Sequence, residues 1–341
     1  RVLKKNKKTF PCFVFFQDIV ANKYLTKLYL DKMKSLKHYY FLKGNYIWIL
    51  LTKSYKFWTG KRLSTFFKTR MTMYPSFLKS PCLIKIPSRD QIESDKLLHD
   101  LKIPKNSKWI CIHNRDSGYL DKQSKKGYLK LNDWSYHDVR DFNVSDLLPA
   151  SDYFTKKGYY VIRTGNYSNQ KISSKNPKII DYVNSKYRSD FGEIFLFSNC
   201  KFYFGSSAGC WKIAKYFRKP AFLINSFPFA DLFLMPWNYP GIFKKIKLEN
   251  DRIISIKEMV RENLNHINNK NILRKKGFNV INNNPNEILD LAVEAINIIE
   301  NNEKKNENYK KKLDDVFNEV SKNSFKNFKY YKNPIGEKFL Q

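Results

Sequence analysis

Cysteine, acidic residues and long apolar runs are all scarce in this sequence, and each scarcity removes a class of protein. The five cysteines, Cys12, Cys82, Cys111, Cys200 and Cys210, make no Cys-x-x-Cys pair, and their odd number argues against a disulfide framework. Cys111 and Cys200 fall inside apolar runs, so buried thiols in a reducing cytoplasm are expected. The longest apolar stretches, Phe10 to Phe16 and Tyr46 to Leu51, are far shorter than the roughly 20 residues of a membrane span. No signal-peptide pattern opens the chain, and Arg1 at one end with Phe339-Leu340-Gln341 at the other suits a clipped chain. No Asp-x-Asp occurs, the usual device for holding a divalent metal against a sugar diphosphate. A Gly-x-Ser-x-Gly elbow, a His-Glu-x-x-His pair and the Lys-Ser/Thr of a Walker A loop are missing too.

Acid is outnumbered, with 31 Asp and Glu against 63 Lys and Arg for a net charge of +32. A nucleic-acid partner would ordinarily follow. Here the excess is mostly Lys scattered from end to end, as an AT-rich genome writes any protein, whereas a nucleic-acid reader clusters Arg with exposed aromatics. No nucleic acid is therefore expected, and peripheral contact with an anionic membrane surface is a secondary use of the charge.

What the chain does have is an apolar content of 42% and an aromatic content of 16%, enough for a packed core over 341 residues. Residues 10 to 100 hold aromatic runs at Phe13 to Phe16 and Tyr39 to Phe41 around a helix-like stretch at Asn22 to Met33, which makes a short α/β half. The stretch from Lys79 to Asp100, with Pro81 and Pro87, suits a linker. From Lys108 onward, apolar runs at Trp109 to Ile112, Tyr159 to Ile162, Lys178 to Ile180, Phe202 to Phe204 and Ala221 to Ile224 read as buried strands. Helical patterns separate most of them: Ser145 to Lys157, Phe191 to Asn199, and Ala208 to Phe217. That alternation implies βαβ units in a parallel, doubly wound sheet that binds ligands at the carboxyl ends of its strands. Helices are also expected at Ser255 to Glu262 and Pro285 to Glu300, the latter capped by Asn284 and Pro285. The expected divisions are 1–100, 101–300 and a polar helical tail, 301–341, with a weak amphipathic segment near Leu313 to Val320.

Three groups of residues can carry chemistry. His113-Asn114-Arg115-Asp116-Ser117-Gly118-Tyr119 directly follows a strand. A planar Arg115 fork matches a diphosphate, His113 can donate to a phosphate or sugar hydroxyl, and Gly118 lets backbone approach a ligand. The plainer alternative is an Arg115–Asp116 surface pair. Ser206-Ser207-Ala208-Gly209 stands between a strand and a helix, where free N–H groups attract anions, unless Ser207 merely caps the helix. Asp181-Tyr182 and Arg188-Ser189-Asp190-Phe191 form the third group, with Asp190 able to cap the next helix. Arg163, Arg188 and Arg115 at strand ends favour a phosphorylated ligand.

In these blocks the chain resembles a family of bacterial glycosyltransferases encoded with surface-polysaccharide and lipopolysaccharide genes. The shared pattern runs His113-x-Arg115-Asp116-Ser117-x-Tyr119, Gly158-Tyr159-x-Val161-x-Arg163-x-Gly165, Ile180-Asp181-Tyr182, Arg188-Ser189-Asp190-Phe191, Cys200-x-Phe202 and Phe217-x-x-Pro220 to Asn225, over about residues 95 to 300. It is more distantly similar to α-1,6- and O-fucosyltransferases, which share the order of the His-x-Arg loop, Asp-Phe block and serine turn; Ala208-Gly209 after the serines departs from them. The resemblance implies a GT-B fold of two facing Rossmann-like domains with the donor domain carboxy-terminal. It further implies a nucleotide-diphospho-sugar as co-substrate, a glycan or lipid-linked oligosaccharide as acceptor, and neither metal nor other cofactor. Arg115, Arg163, Arg188, Ser206, Ser207 and Gly209 would hold the donor phosphates, supported by Asp181, Ser189, Asp190 and Asn225. Asp116 or His113 would be the base, in an enzyme of the cytoplasm or the inner face of its membrane. The alternatives are a pyruvyl or phosphoryl transferase acting on polysaccharide, a sugar-phosphate-binding protein and, third, a nucleic-acid-binding protein.

Overall fold

The computed structural model describes residues 12–16, 20–34, 39–43, 81–82, 84–125, 134–233, 239–264, 266–301, 307–322 and 332–340. The chain divides into two compact units, Arg1–Ile86 and Pro87–Gln341. In the first, β1 (Cys12–Phe16) and β2 (Tyr39–Lys43) pair in parallel, with α1 (Lys23–Lys34) between them in sequence. The helix-like stretch is α1, and the two aromatic runs of the expected α/β half lie in strands, whose parallel pairing the sequence did not indicate. Asn22 starts α1, its Oδ1 accepting from the Leu25 amide at 2.8 Å.

The second unit opens with α2 (Gln91–Asp100), where a linker was expected. Its Leu97 is buried and the hydroxyl of Ser94 bonds the Asp90 carbonyl, so packing turned a polar stretch into helix. There follow β3 (Trp109–His113), α3 (Gly118–Lys125), α4 (Leu148–Lys156), β4 (Tyr160–Arg163), β5 (Ile179–Ile180), α5 (Asp190–Asn199), β6 (Tyr203–Ser206), α6 (Gly209–Tyr216), β7 (Ala221–Ser226) and β8 (Gly241–Phe243). The six strands form one sheet in the order β5-β4-β3-β6-β7-β8, every neighbouring pair parallel. This is the order of a doubly wound sheet: the chain builds outward from β3 on one side, returns, and builds outward from β6 on the other. The reversal lies between β3 and β6, where His113 is in register with Gly205.

Alternation along the strands assigns the two faces. Ile110, Ile112, Phe202, Phe204, Phe222 and Ile224 enter a core with Phe154 of α4, while the Trp109 indole donates to the Leu196 carbonyl of α5 on the opposite face. Phe154 meets Phe202 and Phe204 edge-on at 5.5 and 5.2 Å. The same core takes the apolar stripe of α9 (Pro285–Asn301): Ile288, Leu291, Ala292, Ala295 and Ile296. Each of its larger side chains contributes about 1.5–3 kcal/mol by burial. Asn284 caps α9 by accepting from the Glu287 amide at 2.9 Å, and Glu287 accepts from the Asn284 amide in return.

Between β8 and α9 lie β9 (Lys245–Leu248), α7 (Ile256–Arg261), α8 (Lys270–Lys275) and β10 (Phe278–Ile281), with β9 and β10 antiparallel. α10 (Glu307–Lys322) packs on α7, burying Tyr309, Leu313 and Val320. Ahead of α11 (Glu337–Leu340), Ile335 bridges Gly241 of β8, and the Tyr309 hydroxyl donates to the Ile335 carbonyl at 2.8 Å. The tail thereby covers a sheet edge that would otherwise expose backbone donors and acceptors. Among the described residues no helix is long and apolar enough to cross a membrane. Cys111 and Cys200 are buried free thiols.

Candidate functional site

The loops after β3 and β6 carry two of the groups singled out in the sequence, and the strand order sets them side by side. Close approach there requires glycine at 205: a Cβ on it would stand 2.3 Å from the His113 carbonyl oxygen. His113 ends β3. Its Nδ1 lies 2.9 Å from the Thr164 carbonyl, which can only accept, so Nδ1 carries the proton and Nε2 keeps its lone pair. Burial pushes the imidazole down to about 4, with the Arg163 charge adding to it against the Thr164 bond, so the ring is neutral at pH 7.

Arg115 faces the turn 135–140, donating from Nη1 to the His137 carbonyl at 3.1 Å and pairing with the Asp141 carboxylate. Burial and the neighbouring Arg140 lower it to about 10, and it stays cationic. Arg140, which the sequence did not single out, donates from Nη2 to the Ser207 carbonyl at 3.2 Å and so ties the β3 loop to the serine turn. Lys244, directly after β8, is buried with Nζ 2.9 and 2.6 Å from the carbonyls of Val139 and Asp141. Burial, then Arg115 and Arg140, bring it down to about 7. Three cations thus converge over the carboxyl ends of the sheet. Arg140 and Lys244 escaped notice because each sits in a stretch whose local pattern reads as irregular loop; Lys244 had a positional signal only once β8 was known.

The serine turn keeps polar groups without protein partners among the described residues. Ser206 is buried and its hydroxyl has no hydrogen-bond partner among the described residues. The cap of α6 is Ala208, without a side-chain bond, so Ser207 does not cap the helix and its first amides stay available. A Cβ on Gly209 would meet nothing within 4 Å.

Other expected site residues serve the scaffold. Arg163 is 1% exposed and was expected on the donor phosphates. Instead its Nε donates to Asn114 Oδ1 at 3.0 Å, Nη1 to the Gln170 carbonyl at 2.8 Å and to Asp181, and Nη2 to Ser168 Oγ at 2.5 Å. A guanidinium bonded on all three nitrogens inside the protein binds loops together, so Arg163 positions the site from below. Asp116 is likewise occupied. It accepts from the amides of Gly118 at 3.0 Å and Asn169 at 3.1 Å and from the Ser168 hydroxyl, and lies 3.9 Å from Arg163. Asp181 accepts from the Ile172 amide at 3.0 Å and from Asn184 at 2.8 Å.

Arg188 reaches the Gly165 carbonyl at 3.4 Å but also pairs with Asp190 at 3.2 Å and Glu193 at 3.0 Å, so two carboxylates already meet its charge. The cap of α5 is Ser189, accepting from the Gly192 amide at 3.0 Å, and not Asp190, which lies in the first turn. Asn225, at φ 48°, exchanges backbone-to-side-chain bonds with Asn283 at 2.8 and 2.7 Å. This leaves Asn225 one position beyond Ile224, the register partner of Ser206. Asn114, passed over inside the first group, joins Arg163, Gln170 and the Phe142 carbonyl. Among the described residues no group of three or more His, Cys, Asp or Glu is placed to hold a metal.

Compared with protein-family models, curated proteins and solved structures, the chain matches none.

Proposed function

We propose that this chain is a glycosyltransferase of GT-B type that moves a sugar from a nucleotide-diphospho-sugar to a glycan or lipid-linked acceptor in cell-surface polysaccharide synthesis, without a metal. Pro87–Gln341 is the donor side in this reading and Arg1–Ile86 belongs to the acceptor side. The observation that carries it is the junction of the two loops at the β3–β6 reversal: Arg115, Arg140 and Lys244 beside an uncapped helix start and an unpartnered Ser206 hydroxyl. One buried and two partly buried cations, with Arg140 reaching the turn that carries the free amides, favour a multiply charged anion, and a diphosphate supplies it.

The chemistry follows from those groups. The acceptor hydroxyl attacks the anomeric carbon and its proton passes to Nε2 of His113, the nitrogen that the Thr164 bond leaves unprotonated. The departing diphosphate gathers charge as the bond breaks. Arg115, Arg140 and the α6 amides oppose that charge, and one such donor is commonly worth about 100-fold or more in rate. His113 replaces Asp116 as the preferred base, because the Asp116 carboxylate already takes up the 168–170 loop.

A thermal-shift screen of the full chain against GDP, UDP, CMP, ADP and their sugar conjugates tests the reading. One nucleotide family should stabilise the protein, by about 2–3 kcal/mol at a hundredfold excess over Kd, and Arg140→Ala should lose most of it. Release of that nucleotide from its sugar conjugate on adding acceptor, abolished in His113→Ala, completes the case. If no nucleotide shifts the melting temperature, the assignment falls.

A further inference from the structure

Beside the Arg115–Asp141 pair lies a cavity of about 260 Å³ that shares Lys244 with the proposed site but whose Lys270 and Arg274 have no task in the proposed reaction. Its walls come from four elements. Asp138 and Asp141 stand on the turn after the first loop, Lys244 follows β8, Lys270 and Arg274 belong to α8, and Asn279 belongs to β10. Four residues apart, Lys270 and Arg274 share one helix face. Neither is paired with an acid among the described residues, whereas the other cation, Lys244, is fixed by two backbone carbonyls.

The lining therefore has three cations against two acids, and Arg115 already neutralises one of those acids. Leu273, Phe278 and Val280 add an apolar floor, which strengthens any charge pairing formed above it. The cavity is open to a ligand that brings negative charge, and small enough that the ligand's own chemistry decides its fit.

We propose that this cavity is a second phosphate subsite, in which Lys270 and Arg274 hold a phosphate group other than the one met by the serine turn. The inference rests on the proposed function for the phosphate at the serine turn, and on the observed cavity and its charge for the second one. The group could come from the nucleotide or from a lipid diphosphate carrier, and both present the same chemistry.

Isothermal titration at fixed ionic strength tests it, with wild-type full chain, the Lys270→Ala/Arg274→Ala double variant and Arg140→Ala. Pyrophosphate, GDP and UDP form one arm and farnesyl diphosphate the other. The double variant should bind at least one of these probes roughly 100-fold more weakly, about tenfold per lost charge, with an unchanged melting temperature in the free protein. The arm that weakens names the source of the phosphate. Wild-type affinity of the double variant for every probe overturns the subsite; if Arg140→Ala then still loses binding, the β3–β6 site stands without it. Failure of wild type to bind any probe removes the subsite, and the β3–β6 site with it when CMP, ADP and their conjugates fail as well.

Discussion

Replacing Arg163 with alanine strips partners from three loops at once. The Asn114 amide oxygen, the Gln170 carbonyl and the Ser168 hydroxyl lose a donor, and the carboxylates of Asp181 and Asp116 lose their nearest buried cation. Taken singly, hydrogen bonds to a charged group are worth about 1.5–3 kcal/mol each. Their sum overstates the cost, because Asp181 keeps 17% of its side-chain surface and water can reach it once the arginine is gone. The better guide is the roughly 3–5 kcal/mol lost when one member of a buried charge network is removed. For a domain of this size that lowers the melting temperature by roughly 6–20 °C. Arg140→Ala, which gives up one charged bond to the Ser207 carbonyl and the cation near Asp231, should cost about 1.5–3 kcal/mol, less than Arg163→Ala, yet lose most of the nucleotide stabilisation. Urea titrations of both variants, followed by tryptophan fluorescence with and without nucleotide, separate the roles. An Arg163→Ala protein as stable as wild type but unable to bind nucleotide would mean that the guanidinium serves the ligand, and the account of it as an internal tie would be wrong.

Three further outcomes follow from the same geometry. His113 titrates near 4 when folded and near 6.5 when unfolded, so as pH falls the unfolded chain takes the proton first: its contribution is full above about 6.5 and lost as pH drops toward 4, a change of about 3 kcal/mol. His113→Asn keeps a donor for the Thr164 carbonyl and should flatten that slope; equal urea midpoints for variant and wild type across this range would refute the assignment. Lys244, held near 7 by burial with Arg115 and Arg140 beside it, should gain a proton when a phosphate binds at pH 8, seen as buffer-dependent heat in titration calorimetry. Lys244→Met should show no such uptake, and buffer-independent heats in wild type would contradict the convergence of charge. Gly205→Ala puts a Cβ 2.3 Å from the His113 carbonyl on the neighbouring strand, so it should lose at least about 1–3 kcal/mol and disturb the base; an unchanged melting temperature would refute the close packing there.

The sheet was legible because parallel strands buried on both faces are continuous apolar runs, and Trp109 to Ile112 and Ala221 to Ile224 became β3 and β7 nearly residue for residue. β8 was not legible, since three residues, Gly241 to Phe243, carry too little pattern in a stretch of proline and tryptophan. The loop after β3 and the serine turn were found by position, as polar residues at a strand's carboxyl end. The role of Arg163 could not be found that way. Whether an arginine at a strand end points to ligand or inward depends on Asn114, Ser168, Gln170 and Asp181, which meet only in the folded chain. The same holds for Asn284 and Ser189 in reverse: caps depend on residues two or three positions away, so Asn284 was readable, while Ser189 was set aside for the adjacent Asp190.

Charge makes the sharpest contrast between composition and position. The net +32 comes mostly from lysines scattered along the sequence, and many of the described ones are exposed, where water screens the charge and each costs the fold little. Arg115, Arg140 and Lys244 differ because they are drawn out of water: burial lowers all three, and neighbouring arginines lower Arg115 and Lys244 further. Asp141 pairs with Arg115, and Asp231 lies near enough to Arg140 to support its charge. Among the described residues Lys244 has only backbone carbonyls at bonding distance. Cations held this way carry an electrostatic cost that a phosphate, bound as proposed, would relieve, and the relief would add to binding free energy. In the proposed reading, what matters is therefore not how many positive charges the sequence carries but which three the fold gathers around the 135–141 turn.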